Sequence, residues 1–161
     1  MPIQFHSLYA DNFGRILNIG TPGATSGREP EKAFDDDNEG WSLGWLSQEE
    51  LPQSIWMRYP TAHTVVKIGF TPKWNDGAPD RFDVDGSPDC ADPWTNLLHV
   101  ESSGFPNNWN NDGFKSWTVP KENRRSFHCI RLNVLSVHDP DIGVCLKNLT
   151  LWEEQDLGVG K

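Results

Sequence analysis

Apolar residues in this chain recur mainly at every second position. Within Phe127–Leu135, Ile130, Leu132 and Val134 fall on one face and Arg131 and Asn133 on the other. Val66, Ile68 and Phe70 repeat the pattern within Val65–Phe70. A period of two is that of a strand with one side in a core. Further strands are expected at Ile3–Tyr9, with Ile3, Phe5, Ser7 and Tyr9 on one face, and at Ile55–Tyr59, Arg81–Val84, Asn96–Val100, Ser116–Val119 and Val144–Trp152. Turn residues bound each run. Helical signals are short. Helical turns are expected around Pro30–Ala33 or Ser47–Leu51, where Ser47 and Glu50 have capping-box spacing and Pro52 ends the turn. The polar stretch Asn107–Gly113, with Trp109 in its middle, reads as an exposed loop.

Composition sharpens this picture. Twelve prolines, fourteen glycines and eight tryptophans leave little room for long helices. The chain therefore reads as all-β, an antiparallel sandwich or barrel with long loops. Its 161 residues suit one domain, expected over 1–155, with a polar tail at 156–161. The formal net charge of -9 argues against nucleic acid, and against anionic membranes unless a cation bridges the contact. No apolar run approaches the ~18 residues of a membrane-spanning helix. Met1-Pro2-Ile3-Gln4-Phe5 has neither the basic start nor the apolar stretch of a signal peptide. The expectation is a cytoplasmic chain or a secreted one whose leader has been removed. Of three cysteines, Cys129 and Cys145 lie in apolar stretches and read as buried thiols. A disulfide between them is the alternative if their strands pair. Asn148-Leu149-Thr150 is a glycosylation sequon within an expected strand.

Candidate chemistry gathers in loops. Lys32–Trp41 sets Asp35, Asp36, Asp37 and Asn38 directly after Ala33 and Phe34. Such an oxygen-rich turn serves either as a solvated Asx turn or as a loop for a hard cation such as calcium. Lys73-Trp74-Asn75-Asp76 offers three donors, an aromatic ring, an amide and a carboxylate, a set that suits vicinal hydroxyls. Asn75-Asp76-Gly77 is equally a plain turn signal. Trp41, Trp45, Trp74 and Trp109 are loop aromatics available as a platform, whereas Trp56, Trp117 and Trp152 lie in strands and read as core. His138 lies in the loop before the last expected strand. No Gly-x-Ser-x-Gly elbow, His-Glu-x-x-His or phosphate-cradling loop is present. Glu49-Glu50 and Glu153-Glu154 are adjacent pairs whose side chains would face opposite sides of a strand. A catalytic role is not expected.

Taken in order, several segments resemble the discoidin, or coagulation factor V/VIII type C, family. These are Ala24-Thr25-Ser26, Lys32–Trp41, Ser54–Tyr59, Val65–Phe70, Arg81–Asp89 with Trp94-Thr95, His128–Leu132 and Leu146–Trp152. The chain departs from the family at Asp36, which replaces a glycine, at Gly40, which replaces a threonine, and at Asn148, which replaces a glutamate. The terminal cysteine pair of the coagulation-type members is absent. The resemblance implies a galactose-binding-like jelly-roll β-sandwich with its ligand site at the loop-bearing end, and Trp94 in a packed position. It implies a structural calcium held by Asp35, Asp37, Asn148 and the carbonyls of Lys32, Gly40 and Lys147. It also points to Trp41, Trp45, Lys73, Trp74, Asn75, Asp76 and His138 as ligand-binding residues. The expected function is non-catalytic recognition of a galactose-type glycan or glycoprotein, with homo-oligomerisation adding avidity. A protein-interaction or scaffold domain, possibly intracellular, is the alternative. Calcium-assisted phospholipid binding, through Trp45 and Leu46, is a third.

Overall fold

The alternation seen in the sequence becomes an all-β architecture of antiparallel strands. The computed structural model describes residues 3–7, 18–20, 45–47 and 50–156, with side chains at 47 and 50–153. These residues form the strands β1 (Ile3–Ser7), β2 (Asn18–Gly20), β3 (Trp45–Ser47), β4 (Gln53–Thr71), β5 (Arg81–Ser87), β6 (Thr95–Val100), β7 (Lys115–Thr118), β8 (Ser126–Ser136) and β9 (Val144–Asp156). The strand order is β1-β9-β4-β8-β5-β6, with β2 and β7 added on β4 and β3 on β9. The result is a sandwich close to a barrel.

Two expected strands are one. Ile55–Tyr59 and Val65–Phe70 both belong to the 19-residue β4. Its first half pairs with β8 and its second with β9 and β7, and the register breaks between Arg58 and His63. Pro60, which lacks an N–H for the ladder, falls inside that break. Because β4 serves both halves, both of its ends reach one rim. The Ser47 hydroxyl donates to Gln53 Oε1 (2.9 Å), Ser47 lies opposite Val144, and Thr71 lies opposite Lys147.

The inward faces of β4, β5, β8 and β9 meet in one core. Ile55, Met57, Ile68, Phe70, Phe82, Val84, Ile130, Leu132, Val134, Leu149 and Leu151 are buried there. Phe70 and Phe82 pack edge-on with ring centroids 5.6 Å apart, and Trp117 packs on both at 5.0 and 5.1 Å. Burying each such ring stabilises the fold by roughly 2–3 kcal/mol.

Several expectations are corrected. Ser47 closes a strand instead of capping a helical turn, because its backbone pairs with β9 and its hydroxyl with Gln53. β9 continues past Trp152, since 153–156 pair with Ile3–His6 of β1. β2 and β3 had no signal in the pattern. The disulfide joins Cys90 to Cys129, with Cα atoms 5.2 Å apart, and Cys145 is a buried thiol outside that bridge. Cys129 and Cys145 cannot bridge because β4 lies between their strands. Of the tryptophans expected in the core, Trp117 packs against it, while Trp56 and Trp152 are half-buried. The Trp152 ring lies under Lys67 Nζ at 4.5 Å and beside the Phe114 ring. The expected segments 24–26 and 30–33 and the tail at 157–161 lie outside the described residues.

Candidate functional site at the loop end

Three loops share the rim where β4 begins and ends: 72–80, 101–114 and 137–143. Each has an apolar foot in the core, respectively Ala78, Phe105 and Val137. The feet fix where the loops leave the sandwich. Backbone hydrogen bonds then stitch the loops together. Asn75 N–H donates to Asn110 O (2.8 Å), Asp76 N–H to Asn108 O (3.0 Å), Asp139 N–H to Asp76 O (2.9 Å) and Ser103 N–H to Asp80 O (2.8 Å).

Asn75–Gly77 forms a single 3-10 turn at the centre of this array. The turn presses closely on β9. A Cβ on Gly77 would stand 2.8 Å from Cys145 Sγ and 3.0 Å from Gly143 O, so only glycine fits. The Cys145 thiol in turn donates to Trp74 O.

Asn75 is fully buried, at 0% exposure. Its amide nitrogen donates to Asn108 Oδ1 (2.8 Å) and Asp112 Oδ1 (3.1 Å). Its amide oxygen accepts the Asp112 N–H (3.0 Å). Both donors and the acceptor therefore go to the 108–112 segment. In this position Asn75 organises the loop from beneath.

That loop presents Trp109, which is 79% exposed between the two residues bonded to the backbone of Asn75 and Asp76. Trp74 is half-buried on the neighbouring loop, with Lys73 Nζ 5.8 Å from its ring centroid. His138 lies on the third loop of the rim. Its Nε2 is 2.7 Å from Phe105 O, so that nitrogen carries the proton, and it is 4.0 Å from Asp80 Oδ1. Asp76 is buried at the centre. The structure thus brings together Lys73, Trp74, Asn75, Asp76 and His138 and adds Trp109. The signal for Trp109 was present in the sequence as a lone aromatic in a polar loop. Its closeness to Asn75 was not.

Trp41 lies outside the described residues, as do Lys32, Asp35, Asp37 and Gly40. The backbone of Trp45 pairs with Leu146, and its side chain lies outside the description. Lys147 is buried, and Asn148 takes a left-handed φ of 55° where pairing between β4 and β9 shifts register. Asparagine tolerates that region better than most residues. Among the described residues, no group of three or more His, Cys, Asp or Glu side chains is placed to hold a metal ion.

The antiparallel, near-barrel sandwich matches the galactose-binding-like fold. Solved structures of carbohydrate-binding modules share it. The family 32 module of Clostridium perfringens NanJ, solved with galactose, superposes with a TM-score of 0.65 at 15% identity over 84% of this chain and 93% of that one. A family 32 module from C. perfringens GH89, solved with GalNAc-β-1,3-galactose, gives 0.61 at 17% identity over 83% and 93%. Chitosan-binding module 1 of a Paenibacillus sp. IK-5 chitosanase/glucanase gives 0.63 at 19% identity over 87% and 97%. At these identities the likeness is one of fold. No family model and no curated protein matches the sequence.

Proposed function

We propose that this chain is a non-catalytic carbohydrate-binding module that recognises galactose-type hydroxyls at the loop end. The observation that carries this reading is Trp109, an exposed ring on a loop locked in place by the buried Asn75. A rigid aromatic face beside a few polar side chains is the arrangement that sugar recognition uses, because the ring packs on C–H groups while polar atoms meet hydroxyls. Trp74, Lys73 and His138 supply the neighbouring ring and donors. The modules of like fold, two of them solved with galactose-containing ligands, support the same reading. The Cys90–Cys129 bridge favours an oxidising compartment, and so weighs against an intracellular scaffold.

A structural calcium is the second part of the reading. The chemistry of the donor set supports it: hard oxygens from Asp35, Asp37 and Asn148, and carbonyls from Lys32, Gly40 and Lys147. The shifted pairing at Asn148 is the kind of irregularity that turns backbone groups out of a ladder. Calorimetric titration with galactose oligosaccharides, with calcium or a chelator, tests both parts. Trp109→Ala and Trp74→Ala should each weaken binding by about 10- to 100-fold. Absence of binding to any glycan in either condition sinks the module reading. A melting temperature indifferent to calcium sinks the cation.

A further inference from the structure

The 101–114 loop carries two exposed rings. Trp109 is 79% exposed and Phe114 43%, and they are the exposed large hydrophobic side chains among the described residues. Both hang from one fixed segment. Asn75 holds Asn108 and Asp112 from beneath, and two residues further on the Phe114 ring lies over Gly69 of β4. A Cβ on Gly69 would collide with that ring and stand 2.9 Å from Lys115 O, so a bare backbone is what admits the ring. Phe114 follows Trp109 by five positions, which keeps their Cα atoms within about 18 Å of each other.

Phe114 opens a strip on the outer face of the second half of β4. The register pairs Gly69 with Ser116 and Thr150, and Lys67 with Thr118 and Trp152. Paired residues share a face, and the intervening Ile68 and Leu151 point into the core. The strip runs from the rim through Phe114 to the half-buried Trp152, whose rings meet edge-on with centroids 6.0 Å apart. Lys67 Nζ lies 4.5 Å from the Trp152 ring centroid and forms no ion pair among the described residues. Ser116 and Thr118 are exposed beside it. A stable protein interface needs roughly 800 Å² per partner around an apolar centre. Two rings set among hydroxyls and one ammonium instead match a carbohydrate chain, which alternates C–H faces with hydroxyls.

We infer that the loop-end site continues onto this strip, and that its ligand is an oligosaccharide. One unit sits by Trp109, and the units that follow pack on Phe114 and Trp152. This rests on the loop-end glycan reading above. The Lys67 ammonium and the Ser116 and Thr118 hydroxyls meet the hydroxyls of the later units. Because Asn75 and Gly69 hold the two exposed rings in place before binding, the added contacts cost little ordering entropy.

The test is calorimetry on the full chain with methyl β-galactoside and with galacto-oligosaccharides of two, three and four units, in β-1,3 and in β-1,4 linkage. Affinity should rise about tenfold from the single sugar to the tetrasaccharide in at least one linkage. Phe114→Ala should abolish that gain with methyl galactoside binding as in the wild type, whereas Phe114→Trp should keep it. Lys67→Gln should weaken tetrasaccharide binding about twofold, and Trp109→Ala should weaken every length alike. Equal affinity at all lengths in both linkages overturns the inference. So does a Phe114→Ala variant that weakens the single sugar as much as the tetrasaccharide, since the ring would then only support the loop. If Phe114→Ala does not fold, Lys67→Gln and the wild-type length series decide. Length-independent galactose binding defeats this inference alone, whereas no binding of any glycan defeats the module reading with it.

Discussion

Two regions of this protein set a tryptophan beside charged side chains, and they treat the charges in opposite ways. On the side of β8 away from the core, Arg131 binds Asp85 Oδ2 through Nε (3.1 Å) and Nη2 (2.8 Å). Asn96 donates to the other Asp85 oxygen at 3.1 Å, and the guanidinium lies 4.4 Å from the Trp94 ring centroid. The Cys90–Cys129 disulfide clamps the loop that carries Trp94 onto this strand. Every strong group there has a partner. At the loop end, Trp109 faces solvent and Asp76 Oδ1 has no donor. The first arrangement spends its polar chemistry on the fold. The second holds its polar chemistry in reserve, which is why it is the better place to look for a ligand.

The contrast can be broken from either side. Removing the disulfide with Cys90→Ala/Cys129→Ala opens a loop of 39 residues' separation and should cost about 4 kcal/mol of stability by loop-closure entropy. Urea unfolding measures it, and glycan affinity of the folded fraction should stay the same. Arg131→Ala strands Asp85, which is 5% exposed, and should cost about 3 kcal/mol, again without loss of affinity. A drop in affinity in either variant would show that the two regions are coupled. Asn75→Ala sits at the boundary, because it unties Asn108 and Asp112 from below. It should cost about 2 kcal/mol and raise hydrogen exchange across 107–112, with weaker glycan binding. Unchanged exchange there would remove Asn75 from its organising role.

The smallest effect is electrostatic. The Glu101 and Asp83 carboxylates, in that order, hold the His99 pKa above its ordinary value, and His99 holds that of Glu101 below its own. The His99 contribution is complete below its unfolded pKa and is lost as pH rises through the raised one. The Glu101 contribution is present above the ordinary carboxylate value and is lost as pH falls through the lowered one. The two coincide between those limits, giving a small rise in melting temperature that His99→Gln should flatten. All three side chains are solvent-accessible, so added salt should shrink the effect.

Much of the fold was legible because strand periodicity is a local property. The alternation in 127–135 placed Ile130, Leu132 and Val134 inward before any partner strand was known, and β8 does so. Ile55–Tyr59 and Val65–Phe70 read as two strands because Pro60 interrupts the pattern. Only a chain crossing between two sheets makes them one. β2 and β3 carry no signal, since three residues are too few to show a period. The disulfide was misread for a related reason. Apolar flanks announced that Cys129 would be buried, but which sulfur it meets depends on strand order, and strand order is long-range.

The loop end divides in the same way. Residue type together with the family resemblance picked out Lys73, Trp74, Asn75, Asp76 and His138, because donors, acceptors and rings can be read one at a time and the order of segments suggested which end they share. Their roles could not be read so. Burial turns Asn75 into the residue that locks the 108–112 loop, and it leaves Asp76 without a donor. It also leaves Trp109, a single ring in a polar stretch, as the most exposed aromatic among the described residues. Sequence by itself determined the all-β class and the inventory of polar and aromatic groups, since both follow from residue type and local period. The tertiary structure decided which of those groups satisfy each other and which remain open, since hydrogen-bond saturation depends on neighbours far apart in the chain.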